Sequence, residues 1–393
     1  MKRESVVICT LFIFLVLLSC SQDETYTIEI KDGVRHVHNH APLWGDEPKV
    51  ALEFVQKIGV TEGEDENYMF FLPLDIAKDA EGNVYVLDAG NYRIQKFDKN
   101  GKYLTTIGRK GEGPGEFMGP KKVCIDSNGT IYVFDFNRIK VFSYDGKEEN
   151  IIHCPLSSSF NMQILQPDEH NTQKMFLLDA YFQGGSNSYL LTMINEDGKI
   201  VKNFGKKSHY DNLGLKRQAN RITFEVSSNN NIVVVFQHEN RIDKYASDGT
   251  LIFSADRDLR YKINNRVEKY EIDSHGTVEE LEISVMAYVS SDVGLDYKSR
   301  IWIPTYKNQP PIRTHMLGDK ETSLKIPYDK NKSPDEEFDY VKNVELEIYD
   351  KDGILLGRHP LPFLCSILGI IGDRIYFSNL NDMCVYEYKI IEK

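Results

Sequence analysis

The sequence predicts an all-β chain folded as a six-bladed β-propeller, in which a strand from the N-terminal side closes the last blade. Three observations carry this expectation. A long repeat aligns Asp79, Tyr85 and Asp88 with Asp126, Tyr132 and Asp135, 47 residues on. Short apolar runs alternate with Gly- and Asn-containing turns throughout, and the final repeat stops one strand short. A period in this range fits a four-stranded blade of roughly 40–50 residues.

The first copy shows why these residues form a blade. A strand beginning near Asp75 runs to the turn Glu81-Gly82-Asn83. The continuous Val84-Tyr85-Val86-Leu87 run follows, a composition suited to burial between neighbouring blades. The polar turn Ala89-Gly90-Asn91 reverses the chain into Arg93–Asp98, where apolar and polar residues alternate. Asn100-Gly101, a strong hairpin signal, then delivers the outer strand Tyr103–Ile107. The second copy repeats the plan through Arg138–Phe142 and Asp145-Gly146.

An aspartate after the second strand, followed by Asn-x-Arg-Ile, resembles the NHL-repeat family. Asp88 with Asn91-Tyr92-Arg93-Ile94 matches that signature fully. Asp135 with Asn137-Arg138-Ile139 is two residues shorter, and Asn240-Arg241-Ile242 keeps the second half without the aspartate. In this repeat an arginine commonly ties strands together by pairing with the blade aspartate, and that is the expected role of Arg93, Arg138 and Arg241.

Later copies are weaker. Met175–Asp179 and Tyr189–Ile194 form a third blade that starts near Phe160, and Ile222–Gly249 a fourth. Ser291–Pro304 with Glu345–Tyr349 forms a fifth, interrupted by the Pro-, Lys- and Asp-rich insertion Tyr306–Lys342. Cys365–Phe377 and Val385–Ile391 give a sixth with three strands. Its missing strand is expected from Leu52–Ile58, which parallels Tyr103–Ile107. A borrowed strand covers edges that would otherwise be open. The charged stretch Arg257–Ile283, within an insertion at 257–285, reads as a loop or helical excursion.

Lys2 and Arg3 precede an apolar run of about 15 residues, the layout of a signal peptide and shorter than the ~20 residues of a spanning helix. Leu17-Leu18-Ser19-Cys20 resembles the lipobox of bacterial lipoproteins, which implies a diacylglycerol and palmitate anchor on Cys20. Ser21-Gln22-Asp23-Glu24 resembles the acidic tag that sends lipoproteins of Bacteroidota to the outer leaflet. The expected organisation is a signal peptide over 1–19, a lipidated tether over 20–48 and the propeller over 49–393. The whole mature chain resembles the NHL-like six-bladed propeller lipoproteins frequent in Bacteroidota. That family implies export and ligand binding outside the cell, as an outer-membrane lipoprotein on the periplasmic or cell-surface face.

Removing Lys2, Arg3 and Glu4 with the leader, a net +1, takes the charge from −12 to −13. An acidic exterior disfavours nucleic acid, which needs a basic face. The 22 Tyr and 20 Phe suffice for a large core of half-buried strands. Cys124, Cys154, Cys365 and Cys384 have no Cys-x-x-Cys spacing, so a zinc ribbon is unsupported. Whether they are bridged stays open.

Chemistry is sparse. Gly108–Gly115 lacks the Gly-Lys-Ser/Thr ending of a phosphate loop and reads as an inter-blade connection. His36, His38 and His40 would share one strand face, but no acidic residue lies near them in register, so they read as a compositional tract. Related propeller hydrolases and lactonases line their tunnel with Asn, Asp and Glu. The inner strands here offer Asp75, Lys122, Glu225 and Ser290, which is no repeating oxygen-ligand set. Amidating lyases of this type need tunnel histidines for zinc, and only His238 sits comparably. No Gly-x-Ser-x-Gly elbow appears. No catalytic set, metal site or cofactor is expected.

Turns after second strands and inter-blade loops should project from one end. They would gather Asn91, Tyr92, Arg109, Lys110, Phe136, Asn137, Arg138, His238, Glu239 and Tyr306 into one binding surface. Aromatics beside Arg and Asn can stack on and hydrogen-bond a sugar or a peptide. The expected function is a binding or scaffold module for a glycan, peptide or envelope protein. The alternative is a metal-dependent hydrolase or lyase with its site in the central tunnel.

Overall fold

A computed structural model describes residues 24–156, 160–168, 172–180, 189–274, 277–309, 340–361, 363, 365–379 and 381–393. Residues 1–19, expected to be a signal peptide, Cys20 and most of the 306–342 insertion lie outside them. Six four-stranded antiparallel blades follow one another, as the repeat predicts. Their inner strands begin at Pro73, Pro120, Met162, Ile222, Gly294 and Cys365. Second strands such as Val84–Asp88, Ile131–Asp135 and Ile232–Phe236 are buried along their whole length. Each continuous apolar run is packed on both faces by adjacent blades, which explains its lack of alternation.

Two devices recur in register. A β-bulge interrupts the third strand between Lys96 and Phe97, and again between Val141/Phe142, Met193/Ile194, Lys244/Tyr245, Ile348/Tyr349 and Glu387/Tyr388. Five third-to-fourth-strand turns carry a glycine at positive φ, Gly101 at 77° and Gly146 at 85° among them. Left-handed backbone at that corner favours a residue without Cβ. The sixth blade has no such turn, because its fourth strand is Val50–Ile58, antiparallel to Val385–Glu392. Ile58 and Val385 lie buried with Phe70, Phe97 and Tyr376 in one core, so the two ends of the chain are held by packing as well as by the ladder.

The stretch expected to be a tether is partly built into the propeller. Tyr26–Lys31 and Val34–Asn39 form a hairpin, and its second strand runs parallel to Leu251–Arg257, the outer strand of blade four. Asn39 is buried and staples blades four and five: its side-chain amide donates to the Asp256 and Gly353 carbonyls, and Leu355 N–H donates back at 2.7 Å. Trp44 N–H then donates to the Leu356 carbonyl of blade five.

The charged segment expected as a loop or helix is instead a long hairpin, Arg266–Ser274 with Thr277–Val285. Leu281, Ile283 and Val285 alternate with polar residues at period two, a strand signal that the charge density obscured. The four described cysteines are free thiols. No helix of the described residues is long and apolar enough to cross a membrane.

Candidate functional site: a loop-built end above a charged channel

The aspartate that ends a second strand fixes the loop leading into its own blade. Asp88 accepts from Phe71 N–H at 2.7 Å, Asp135 from Met118 and Gly119 N–H at 2.9 and 2.7 Å, and Asp179 from Phe160 and Asn161 N–H at 2.7 and 2.8 Å. Second-strand turns and inter-blade loops therefore meet at one end. Asp88 also binds Arg93 (2.9 Å) and Asn91 (2.8 Å), and Arg138 lies 3.4 Å from Asp135, the strand-tying role expected for these arginines. Blade four has Phe236 in place of the aspartate. Arg241 lies over that ring and forms a two-pronged ion pair with Asp243 instead.

These anchored loops hold apolar side chains out to solvent. Phe71 is 60% exposed, Phe160 50% and Met118 40%, all at the equivalent position two residues before an inner strand. Phe136, which follows Asp135, is 55% exposed. Leu72, Tyr92, Phe136 and Met383 adopt left-handed backbone at this end, with φ of 62°, 56°, 64° and 54°. For bulky residues that conformation costs about 1–2 kcal/mol each. The sequence reading missed Phe71, Met118 and Phe160. The available signal was an apolar residue two before Pro73 or Pro120.

The residues expected on one surface fall into two groups. On blades one and two, the Lys110 ammonium lies 5.1 Å from the Tyr92 ring centroid, Arg109 pairs with Glu116 at 2.9 Å, and the Asn137 carbonyl accepts from Cys154 N–H. Phe136 belongs to the same group as its exposed apolar member. At the seam of blades four and five, His238 is buried and its Nδ1 hydrogen-bonds the Ala287 carbonyl at 3.0 Å. Its ring lies 4.6 Å from that of Tyr288, which is 5.8 Å from Tyr306. Burial pushes His238 down to about 4, so the imidazole is neutral. Glu239 accepts from Ser208 and Tyr210 hydroxyls.

The inner strands converge on a channel. The Lys122 ammonium is 2.8 Å from Asp75 Oδ1, and Val123 N–H donates to Oδ2. Gln163 donates to Glu225 at 3.0 Å, and Thr223 to Asp292 at 3.0 Å. Enclosure by protein pushes Glu225 up to about 7 and Asp292 up to about 6, against the pull of Lys122. Asp75 and Glu225 hold Lys122 firmly charged. Asp75, Lys122 and Glu225 are the channel residues read from the sequence. Ser290 is not one of them: its hydroxyl accepts from Arg257, and Asp292, two residues on, takes the channel position.

Three carboxylates around one ammonium can hold a polar ligand or exchange protons near neutral pH. Of the three, Asp75 forms the ion pair with Lys122. Among the described residues no group of three or more His, Cys, Asp and Glu side chains is placed to hold a metal ion. The histidine tract has acidic partners after all. His38 lies between Glu29 (2.8 Å) and Asp256 (3.0 Å), and His40 pairs with Asp258. Glu29 comes from the neighbouring strand of the hairpin, whereas Asp256 and Asp258 come from the far-removed end of blade four.

Comparisons with known proteins agree with this architecture. A solved member of the DUF4221 family from Bacteroides vulgatus shares the fold, with a TM-score of 0.56 and 12% identity over 88% of this chain and 99% of that one. Among curated proteins, the human E3 ubiquitin-protein ligase TRIM32 is 34% identical over 114 residues, 26% of this chain and 16% of its own. A probable peptidyl-alpha-hydroxyglycine alpha-amidating lyase of Caenorhabditis elegans is 30% identical over 84 residues, 20% of this chain and 24% of its own. The chain thus spans a quarter or less of the curated relatives it matches. The six-bladed β-propeller model of the DUF5128 family matches residues 70–326, well over half of the chain, and the protein belongs to that family.

Proposed function

We propose that this protein is an exported lipoprotein, anchored to the outer membrane through Cys20, that binds a glycan, peptide or envelope protein across the loop-built end of its propeller. The observation that carries this reading is the set of exposed apolar side chains, Phe71, Met118 and Phe160, held at one blade position by Asp88, Asp135 and Asp179. Apolar groups kept in water by buried hydrogen bonds, beside bulky residues in a costly backbone conformation, point to a surface maintained for contact. Asn91, Arg138 and Arg93 then act as supports, and Tyr92, Lys110 and Phe136 as contacts.

Binding of the full-length, detergent-solubilised protein to immobilised oligosaccharide and peptide panels tests the reading. A panel member should be retained saturably and released intact, and a Phe71→Asp/Phe136→Asp/Phe160→Asp variant should lose it. Retention equal in both proteins, or none in either, overturns the loop-end assignment. Labelled palmitate should enter the wild-type chain and not Cys20→Ala.

A second reading is favoured by the channel, where Glu225 and Asp292 titrate near neutrality beside Lys122. In that reading the protein is a hydrolase or lyase using these carboxyls as acid and base. Turnover of a retained panel member, lost in Glu225→Gln, would replace the binding reading with this one.

A further inference from the structure

The seam of blades four and five contains a polar atom with nothing to bond. His238 is 2% exposed, and its Nε2 has no hydrogen-bond partner while Nδ1 is bonded to the Ala287 carbonyl. With the proton on Nδ1, Nε2 is a buried acceptor. An unmet acceptor costs about 1–3 kcal/mol unless something supplies a donor. Over the imidazole lies the Tyr288 ring, 40% exposed, and Tyr306 stands beside it.

The backbone under Tyr288 is clamped. Its N–H donates to Gln309 Oε1 at 2.8 Å, and its carbonyl accepts from Gln309 Nε2 and the Tyr261 hydroxyl.

Tyr306 also borders a cleft whose lining includes Arg257, Arg260, Lys307 and Arg358 together with Asp258, Glu345 and Glu347. Each of those carboxylates is already engaged: Asp258 with His40, Glu345 with Arg260 and Arg358, and Glu347 with Arg257 and Arg358. Four cations against three carboxylates leave the cleft with one positive charge over, beside the aromatic pair.

We propose that this seam is a subsite for an anionic saccharide: a sugar hydroxyl donates to His238 Nε2, the ring packs on Tyr288 and Tyr306, and a carboxylate or sulfate meets Lys307 and Arg260. A sugar offers both a C–H face for tyrosine and a hydroxyl donor for a buried neutral imidazole. A peptide backbone can offer an N–H to the same acceptor but brings no sugar C–H face to the two tyrosines. This inference rests on the loop-end binding reading and names the ligand class for one part of that end.

Calorimetric titration of the full-length protein with tetragalacturonate, its neutral counterpart maltotetraose, and tetraglutamate tests it. Tetragalacturonate should bind about tenfold or more tighter than the other two. Tyr288→Ala and His238→Ala should each weaken it by about tenfold, and His238→Gln, which keeps an acceptor, by less. Lys307→Ala should remove the preference for the acidic sugar and leave weak maltotetraose binding in place. Tyr288→Ala changes a part-exposed side chain, so an unchanged melting temperature shows that its loss is local.

The subsite is overturned if neither saccharide binds, if tetraglutamate binds tightest, or if Tyr288→Ala binds like the wild type. A peptide retained at the loop end without saccharide binding sinks the subsite and leaves the binding reading standing. Saccharide binding that survives the triple Phe→Asp variant confines recognition to the seam and sinks the broader surface.

Discussion

The Asp88 carboxylate accepts the Phe71 N–H at 2.7 Å, so a fully buried charge decides where an exposed aromatic ring stands. Asp88→Ala removes that bond together with those from Asn91 and Arg93. It leaves the part-buried Arg93 guanidinium without its carboxylate. Breaking such a pair from one side costs about 3–5 kcal/mol. Urea unfolding should show a loss of that order for Asp88→Ala, and Phe71→Ala should be close to neutral.

The borrowed strand makes the end residues of this chain structural. Ile58 is 1% exposed against Phe70, Phe97 and Val385. Ile58→Ala should lower stability by about 2–5 kcal/mol. Phe54, on the same strand but half exposed, should cost clearly less on truncation. Similar losses in urea melts would show that Val50–Ile58 does not seal the sixth blade.

Glu225 gives the channel a pH signature. Burial lifts its carboxyl from an unfolded value near 4.5 to about 7, so the folded chain keeps the proton longer than the unfolded one. Stability then falls as pH rises between those two values. Glu225→Gln, neutral throughout, should be the more stable protein at about pH 8, by up to about 3 kcal/mol, and match the parent at about pH 4. Lys122→Met removes the cation that opposes the shift, and should move the Glu225 titration seen by carboxyl NMR still higher.

His38 should tie the N-terminal hairpin to blade four in a pH-dependent way. Hydrogen bonds that the protonated ring donates to the Glu29 and then the Asp256 carboxylate raise its pKa, with Lys31 beside Glu29 as the nearby cation. A raised histidine stabilises fully below its unfolded value of about 6.5, and the contribution is lost as pH climbs through the higher folded value. All three groups are substantially solvated, so the effect is local. Hydrogen exchange, corrected for its intrinsic pH dependence, should show residues 26–39 better protected at about pH 6 than at about pH 9. A difference that persists in His38→Ala would assign it to another group.

Repeated local chemistry made the blades legible from sequence. The Asp88/Asp135 pair, the Gly101/Gly146 turns and the continuous runs at Val84–Leu87 and Ile131–Phe134 all repeat in register, because each blade must solve the same local problem of strand, turn and two-sided burial. The missing strand of the sixth blade was legible for the same reason: Leu52–Ile58 had the pattern of an outer strand with no blade of its own. Tertiary structure decided what depends on neighbours far apart in the chain. Whether Tyr26–Asn39 hung free or paired with Leu251–Arg257, and which inner-strand carboxyls met Lys122, rested on partners dozens to hundreds of residues away. The buried Nε2 of His238 belongs with these, since no periodicity in sequence records that an atom has been enclosed without a partner.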